Sequence, residues 1–282
     1  HSTWASSWLF LFDLDGNYVA KIFASDGAAD DNYGYSVAAG SNRIVVGARF
    51  DDDNGTSSGS IYIYDINGNY IAKATPSDGS ANANFGECVA VGSGRIVAGA
   101  YGDSLYKGAA YIFDLNGNEL KKITASDGAS YDYFGEAVAV GSGRIIVSAP
   151  KDDDNGSASG SAYIFDLEGN QVAKILASDG VTDDEFGFSV SVGSEHVVVS
   201  SFLHNSGAGA AYVFDLSGNF VTKLTASDAT SGDRFGRFVS SGSGKIAVGS
   251  YLDDDAGSDS GSAYIYSINE SYDSYLEKII GR

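Results

Sequence analysis

The sequence predicts an all-β chain, a β-propeller of four-stranded antiparallel blades. Three observations predict it: an aromatic–Gly pair that recurs along the chain, four strand-like stretches in each interval, and 37 Gly against 2 Pro. High Gly with many Tyr and Phe suits short strands joined by tight turns. Internal periodicity outranks every other signal, because a repeat architecture sets the whole fold.

The pairs are Tyr33-Gly34, Phe85-Gly86, Phe134-Gly135, Phe186-Gly187 and Phe235-Gly236, in alternating steps of 52 and 49 residues. The same rhythm carries Asp13, Asp65, Asp114, Asp166 and Asp215. It also carries Lys21, Lys73, Lys122, Lys174 and Lys223, and the basic positions Arg43, Arg95, Arg144, His196 and Lys245. Long units insert an acidic loop: Asp51-Asp52-Asp53-Asn54, then Asp152-Asp153-Asp154-Asn155, then Asp253-Asp254-Asp255.

Each unit reads as four strands. The first follows the aromatic–Gly pair (136–140), and a GSGR turn leads to the second (144–147). A variable loop precedes the third (161–166), and a DLxGN turn precedes the fourth (171–175). The x-Gly dipeptides there signal two-residue hairpins, since Gly, Asn and Asp tolerate positive φ. The second strand is nearly all apolar, which fits burial on both faces between blades. The aromatic of each pair is expected to pack between blades, its Gly allowing close backbone approach. The recurring basic residues are expected to pair with the recurring Asp at a blade edge.

The count is five and a half units, or 22 strands, in one domain over 1–282. A half blade (8–24) precedes repeats at about 33–74, 85–124, 134–177, 186–225 and 235–282. The ring would have five or six blades, closed irregularly, by strands outside this sequence, or by another subunit, since open edges invite pairing. An open stack of sheets is the rival architecture.

The net charge of −20 disfavours nucleic acid and anionic membrane as partners. No apolar run approaches the roughly 18 residues that span a bilayer. The one cysteine, Cys88, excludes an internal disulfide and reads as a small core residue. The sequence starts at His1 and contains no Met, which together with the acidity favours an exported, N-terminally processed chain.

Phe134-Gly135-Glu136-Ala137-Val138-Ala139-Val140-Gly141, with Ser148-Ala149-Pro150 and Gly160-Ser161-Ala162-Tyr163-Ile164-Phe165, resembles the FG-GAP repeat. The Gly-Ala-Pro segment appears as Gly47-Ala48-Arg49, Gly99-Ala100-Tyr101, Ser148-Ala149-Pro150, Ser200-Ser201-Phe202 and Gly249-Ser250-Tyr251, so one copy keeps the Pro. The resemblance implies a propeller like the head of integrin α subunits, used outside the cell for adhesion, recognition or scaffolding. Its DxDxDG calcium hairpin is missing: the first hairpins read Ala39-Gly40-Ser41-Asn42 or Gly141-Ser142-Gly143.

The candidate sites follow. The acidic loops (Asp51, Asp52, Asp53, Asn54; Asp152, Asp153, Asp154, Asn155; Asp253, Asp254, Asp255) offer hard oxygen ligands for Ca2+. Against this, consecutive side chains diverge, and Asp and Asn also serve turns. The inter-unit segments with Asp26, Asp30 and Asp31, or Asp179, Asp183 and Asp184, are expected to make side-chain-to-backbone turn bonds. The residue after each aromatic–Gly pair changes: Tyr35, Glu87, Glu136, Phe188, Arg237. Variation at one geometric position is where ligand specificity would sit, with Tyr101, Tyr106 and Tyr131 suited to sugar stacking. Sequons occur at Asn54, Asn155 and Asn269.

No HExxH, GxSxG or Cys–His arrangement is present, and Gly244-Lys245 lacks the rest of a phosphate loop. The expected function is non-catalytic: extracellular binding of a protein or glycan. The alternatives are a structural subunit that polymerises through its half blade, and a glycoside-type hydrolase using acidic-loop carboxylates.

Overall fold

The computed structural model describes residues 8–268 and 274–280. Its strands run β1 (Leu9–Phe12), β2 (Tyr18–Ile22), β3 (Tyr33–Gly40), β4 (Arg43–Ala48), β5 (Ser60–Asp65), β6 (Tyr70–Ala74), β7 (Val89–Gly92), β8 (Arg95–Ala100), β9 (Ala109–Phe113), β10 (Glu119–Ile123) and β11 (Val138–Gly141). They continue as β12 (Arg144–Ala149), β13 (Ser161–Phe165), β14 (Gln171–Ile175), β15 (Val190–Val192), β16 (His196–Ser201), β17 (Ala210–Asp215), β18 (Phe220–Leu224), β19 (Phe235–Gly242), β20 (Lys245–Ser250), β21 (Ser262–Ile268) and β22 (Ser274–Ile280). The 22 strands expected from the repeat are therefore present, as one two-stranded and five four-stranded sheets.

The chain forms two compact units. One holds His1–Ser130 with Phe134–Val140, the other Tyr131–Tyr133 with Gly141–Arg282. The first contains the half sheet β1–β2 and the sheets β3–β6 and β7–β10; the second contains β15–β18 and β19–β22. The third set, β11 to β14, runs across the division. Every sheet meanders in chain order with antiparallel neighbours, so the repeats are propeller-like blades.

The two hairpin turns exchange the roles expected of them. The two-residue turn lies between first and second strands: Gly40 pairs with Arg43, and Ser41 and Asn42 both have positive φ. This is the type I′ geometry that matches strand twist. The DLxGN turn is a three-residue loop instead. Asp65 N donates to Asn69 O, Gly68 N donates to Asp65 O, and Gly68 has φ +83°. Asp65 Oδ1 accepts the amides of Asn67 and Asn69, and Oδ2 accepts Asn69 Nδ2. Asp13, Asp114, Asp166 and Asp215 make the same clamp. The recurring Asp is therefore the turn's own clamp.

That changes the partner of the recurring Arg. Arg43 and Asp65 are cross-strand neighbours, as expected. Yet Arg43 Nε donates 2.7 Å to the Leu115 carbonyl in the hairpin of the next sheet. Arg144 does the same to Leu216, at 2.8 Å. The carboxylate is already occupied by its turn, so the guanidinium ties sheet to sheet.

Each sheet has a front face rich in aromatics and a back face of Ile, Val and Ala. In the first unit the back of β3–β6 (Val45, Ile61, Ile63) packs on the front of β7–β10 (Phe85, Ile96, Tyr111, Phe113). In the second unit Val198, Ala211 and Val213 pack on Phe235, Ile246, Val248, Tyr264 and Tyr266. The aromatic of each pair sits in these layers, with Phe85, Phe134, Phe186 and Phe235 fully buried. Gly86 is required there, since a Cβ on it would lie 2.6 Å from the Ser60 carbonyl oxygen. Cys88 is half-buried; burial pushes its thiol up to about 11, and its Sγ accepts the Val138 amide at 3.4 Å.

Candidate functional site

Two constellations recur on this scaffold, a charged cage in the loops after the second strand and a rim beside each aromatic–Gly pair.

The cage grows from the third strand. Its Tyr points to the front face and is fully buried up to the hydroxyl. The Tyr62 hydroxyl lies 2.9 Å from Asp26 Oδ1 and 3.0 Å from Asp51 Oδ2. Lys73 is its cross-strand partner on β6. Lys73 Nζ reaches Asp26 and Asp51 at 2.8 Å and Asp53 at 2.7 Å, so all three ammonium protons meet carboxylates. Burial opposes the charge on Lys73, but these bonds outweigh it and hold the ammonium well above its ordinary value. For Tyr62, burial comes first and pushes the hydroxyl up, with Asp51 and Asp26 adding to it.

The other repeats vary this plan. Lys122 bonds Asp78 at 2.7 Å and Asp103 at 2.9 Å, and Tyr111 donates to Asp78. Lys174 bonds Asp152 at 3.0 Å and Asp154 at 2.6 Å. In the fourth repeat His204 stands where Asp103 does. Its Nδ1 is 2.8 Å from Asp184 Oδ2 and its Nε2 is 2.9 Å from Lys223 Nζ. An ammonium can donate only, so Nε2 accepts and the proton sits on Nδ1, facing Asp184. In the fifth repeat Asp228, Asp253 and Asp255 converge within 4.8 Å, and Lys278 is in register opposite Tyr264.

The acidic runs divide their side chains between two tasks, and in the fifth repeat Asp253 and Asp255 lie with Asp228 close enough to share one ion. Asp51, Asp53, Asp152 and Asp154 turn inward to a Lys. Asp52, Asp153 and Asp254 turn away and accept the amides of Ser57, Ala158 and Asp259, closing their own loops. Asn54 and Asn155 are exposed, and their amides donate to Ser58 and Ser159. In the first three cages a Lys ammonium lies among the carboxylates, which in the first and third include those expected to serve as calcium ligands. The expected turn bonds appear at Asp31 and Asp184, which accept the Ala28 and Val181 amides. Asp26 and Asp179 join the cages instead. Asn269 lies outside the described residues.

The rim is built from the variable residues. In the first unit Tyr35 is exposed, Glu87 and Glu136 half-buried. The Arg49 guanidinium lies 3.6 Å from the Tyr35 ring centre and 2.9 Å from Glu87 Oε2. Burial pushes the Tyr35 hydroxyl up, and the charge of Glu87 adds to this. In the second unit Phe188 packs on Phe202 with ring centres 4.4 Å apart, and Arg237 lies over both rings, at 4.1 and 4.9 Å. A shallow open depression beside it is lined by Arg237, Phe238, Gly249, Tyr251 and Ala263. Tyr101 and Tyr106 stack at 6.1 Å, and Tyr131 is exposed.

The residues that sequence reasoning left out of the rim are Arg49 and Phe202. They occupy the third position of the Gly-Ala-Pro-like segment, which reads Arg49, Tyr101, Pro150, Phe202, Tyr251. That position faces the variable residue after the aromatic–Gly pair, and its own variation was the available signal.

The FG-GAP repeat matches the chain five times, at residues 17–64, 69–113, 118–165, 170–214 and 219–266. Each match begins at the fourth strand of one sheet and ends on the third strand of the next. Among curated proteins none is matched in sequence.

Proposed function

Because the chain belongs to the FG-GAP repeat family, we propose that it is a non-catalytic extracellular recognition module that grips a protein or glycan through its rim. FG-GAP repeats generally serve recognition and adhesion, are typical of extracellular and surface proteins, and are typically non-enzymatic. Among the described residues no helix is long and apolar enough to cross a membrane. The observation that carries the reading is the rim: equivalent positions on a repeating scaffold hold Tyr, Glu, Glu, Phe and Arg, and a second variable position faces them. Structural residues repeat because each sheet needs them; these do not. An exposed aromatic beside a guanidinium, as Tyr35 beside Arg49, suits sugar rings and the apolar parts of a protein surface.

The buried carboxylates Asp51 and Asp152 are ion-paired with Lys73 and Lys174, which favours this reading over a glycoside hydrolase. The test is a panel of immobilised glycans and extracellular-matrix proteins, probed with the native chain, Tyr35→Ala and Arg237→Ala. The expected result is a ligand whose binding falls at least tenfold in one variant while the melting temperature holds. A panel without binding, or binding indifferent to both substitutions, would reject the rim.

A further inference from the structure

Among the described residues, the front-to-back rule for sheet packing leaves a front face and a back face uncovered, at opposite ends of the repeat series. At the N-terminal end the half sheet uses its back: Leu9, Leu11, Ala20 and Ile22 pack on Tyr33, Ile44, Val46, Tyr62 and Tyr64. Its front carries Trp8, Phe10 and Phe12. Phe10 and Phe12 are 54% and 55% exposed, whereas Tyr62, Tyr111, Tyr163, Tyr212 and Tyr264, which hold the place of Phe10, are all buried. At the C-terminal end the sheet β19–β22 uses its front against β15–β18. Its back carries Ala247, Ala263 and Ile265, at the places of Val45, Ile61 and Ile63. Ala263 is exposed and Ala247 and Ile265 half-buried, while Val45, Ile61 and Ile63 are completely buried.

The glycines give the same account independently of side-chain burial. In the internal sheets, the small residue of the second strand is covered by the backbone of the next repeat. A Cβ on Gly47 would lie 2.1 Å from Gly86 O, and one on Gly99 would lie 1.8 Å from Gly135 O. Gly249, the fifth in that series, meets only Phe238 O, at 3.9 Å. Conversely, the hairpin glycines Gly68, Gly117 and Gly218 each press on the sheet before them: a Cβ would meet Ala20, Ile63 and Ala173, respectively, at 2.7 to 3.0 Å. Gly16, the first in that series, has nothing within 4 Å among the described residues.

Chemistry at the N-terminal face fits a dry contact. Every complete repeat has Tyr on the third strand, with the hydroxyl in a carboxylate cage. The half sheet has Phe10 there, with no hydroxyl to satisfy. Lys21, the counterpart of the cage lysines, lies over the Trp8 ring at 3.2 Å instead.

We propose that copies of this chain associate head to tail, the back of β19–β22 in one copy docking on the front of β1–β2 in the next. The occupant is a second copy because a back face of this kind packs on a front face of this kind in each of the three sheet pairs described above. Such a contact joins two different patches, so it propagates into a ring or a filament rather than stopping at a symmetric dimer. It goes beyond ligand recognition at the rim, which it leaves exposed at Tyr35, while Ala263 of the docking face also lines the depression beside Arg237.

The experiment is light scattering on the full chain over a concentration series, with two blocked variants. Phe10→Asp with Phe12→Asp removes the front; Ala263→Arg with Ile265→Asp removes the back. Native chain is expected to rise in mass with concentration, and each variant to stay monomeric. An equimolar mixture of the two variants is expected to give dimers and nothing larger, because each keeps one usable face. Circular dichroism confirms folding, and single Ala263→Arg, at an already exposed position, serves if the double variant fails to fold. Native chain that stays monomeric at every concentration overturns the proposal. So does a mixture without dimers, or assembly indifferent to either block. Because glycan and matrix-protein binding are also read on Tyr35→Ala, which is remote in sequence from both docking faces, loss of one reading leaves the other standing.

Discussion

The cage and the rim sit on the same repeats, yet one hardly changes from repeat to repeat and the other hardly repeats. At the cage, Tyr62, Tyr111, Tyr163 and Tyr212 face Lys73, Lys122, Lys174 and Lys223 in the same register. The carboxylates come from loops that close on themselves. At the rim, Arg49 bonds Glu87 across two repeats, whereas Phe202 packs on Phe188 under Arg237. The difference separates two kinds of constraint. A buried charge must be neutralised wherever it occurs, so its partners recur. An exposed position on a fixed scaffold is free to differ, and that freedom is what a recognition surface uses.

Breaking the cage has the largest expected effect. Lys73→Ala leaves Asp51, 3% exposed, without its cation, and breaking a buried pair costs about 3 kcal/mol. Lys21→Ala, at the equivalent place in the half sheet, removes a cation over an aromatic face and costs about 1 kcal/mol or less. Chemical denaturation of both variants measures the contrast. Equal losses would mean that the carboxylates contribute nothing special.

Acid sharpens the same comparison. Burial alone would raise Asp26, Asp78 and Asp179, but the Lys and Tyr bonded to each outweigh it and hold all three below the ordinary 3.8. A carboxylate depressed in the folded state contributes stability above its unfolded value, and that stability is lost as pH falls through the folded one. The melting temperature should therefore hold near neutrality and drop below about pH 4. The drop should be shallower in Asp78→Asn, which is already less stable at pH 7; an unchanged slope would place the acid sensitivity elsewhere.

Calcium is expected to do little. Ligand that binds the folded state alone raises its stability, but Lys already lies among the carboxylates of the first three repeats. Millimolar calcium should leave the melting temperature where it was, and a rise would return the acidic loops to metal binding.

The rim gives the smallest stability change. Tyr35→Ala removes an exposed ring and should stay within about 0.5 kcal/mol of the native chain. A larger loss would make Tyr35 part of the structure and weaken its claim to ligand contact.

Much of this was legible in the residues. The five-and-a-half-unit count, the strand positions and the buried aromatic of each pair follow from local chemistry: turn glycines, β-branched runs and a period that repeats. The turn types were partly legible. Ser41-Asn42 and Asn67-Gly68 both tolerate positive φ, and only the pairing register shows which pair closes a two-residue hairpin. The rim was half legible, through Tyr35, Glu87 and Phe188, while its facing partners Arg49 and Phe202 were masked as imperfect copies of a motif.

What the sequence by itself determined, then, is the number of sheets, their order and the burial of their strands, because backbone geometry and hydrophobic alternation act over a few residues. What only the tertiary structure decided is where charges and edges go. Asp51 reads only as an acidic loop residue, and the fold sets Lys73, 22 residues later, beside it. Arg43 reads as the partner of Asp65 until the Leu115 carbonyl arrives from the next sheet. Such pairings join residues distant in the chain, and they are settled by the packing that brings one sheet against another.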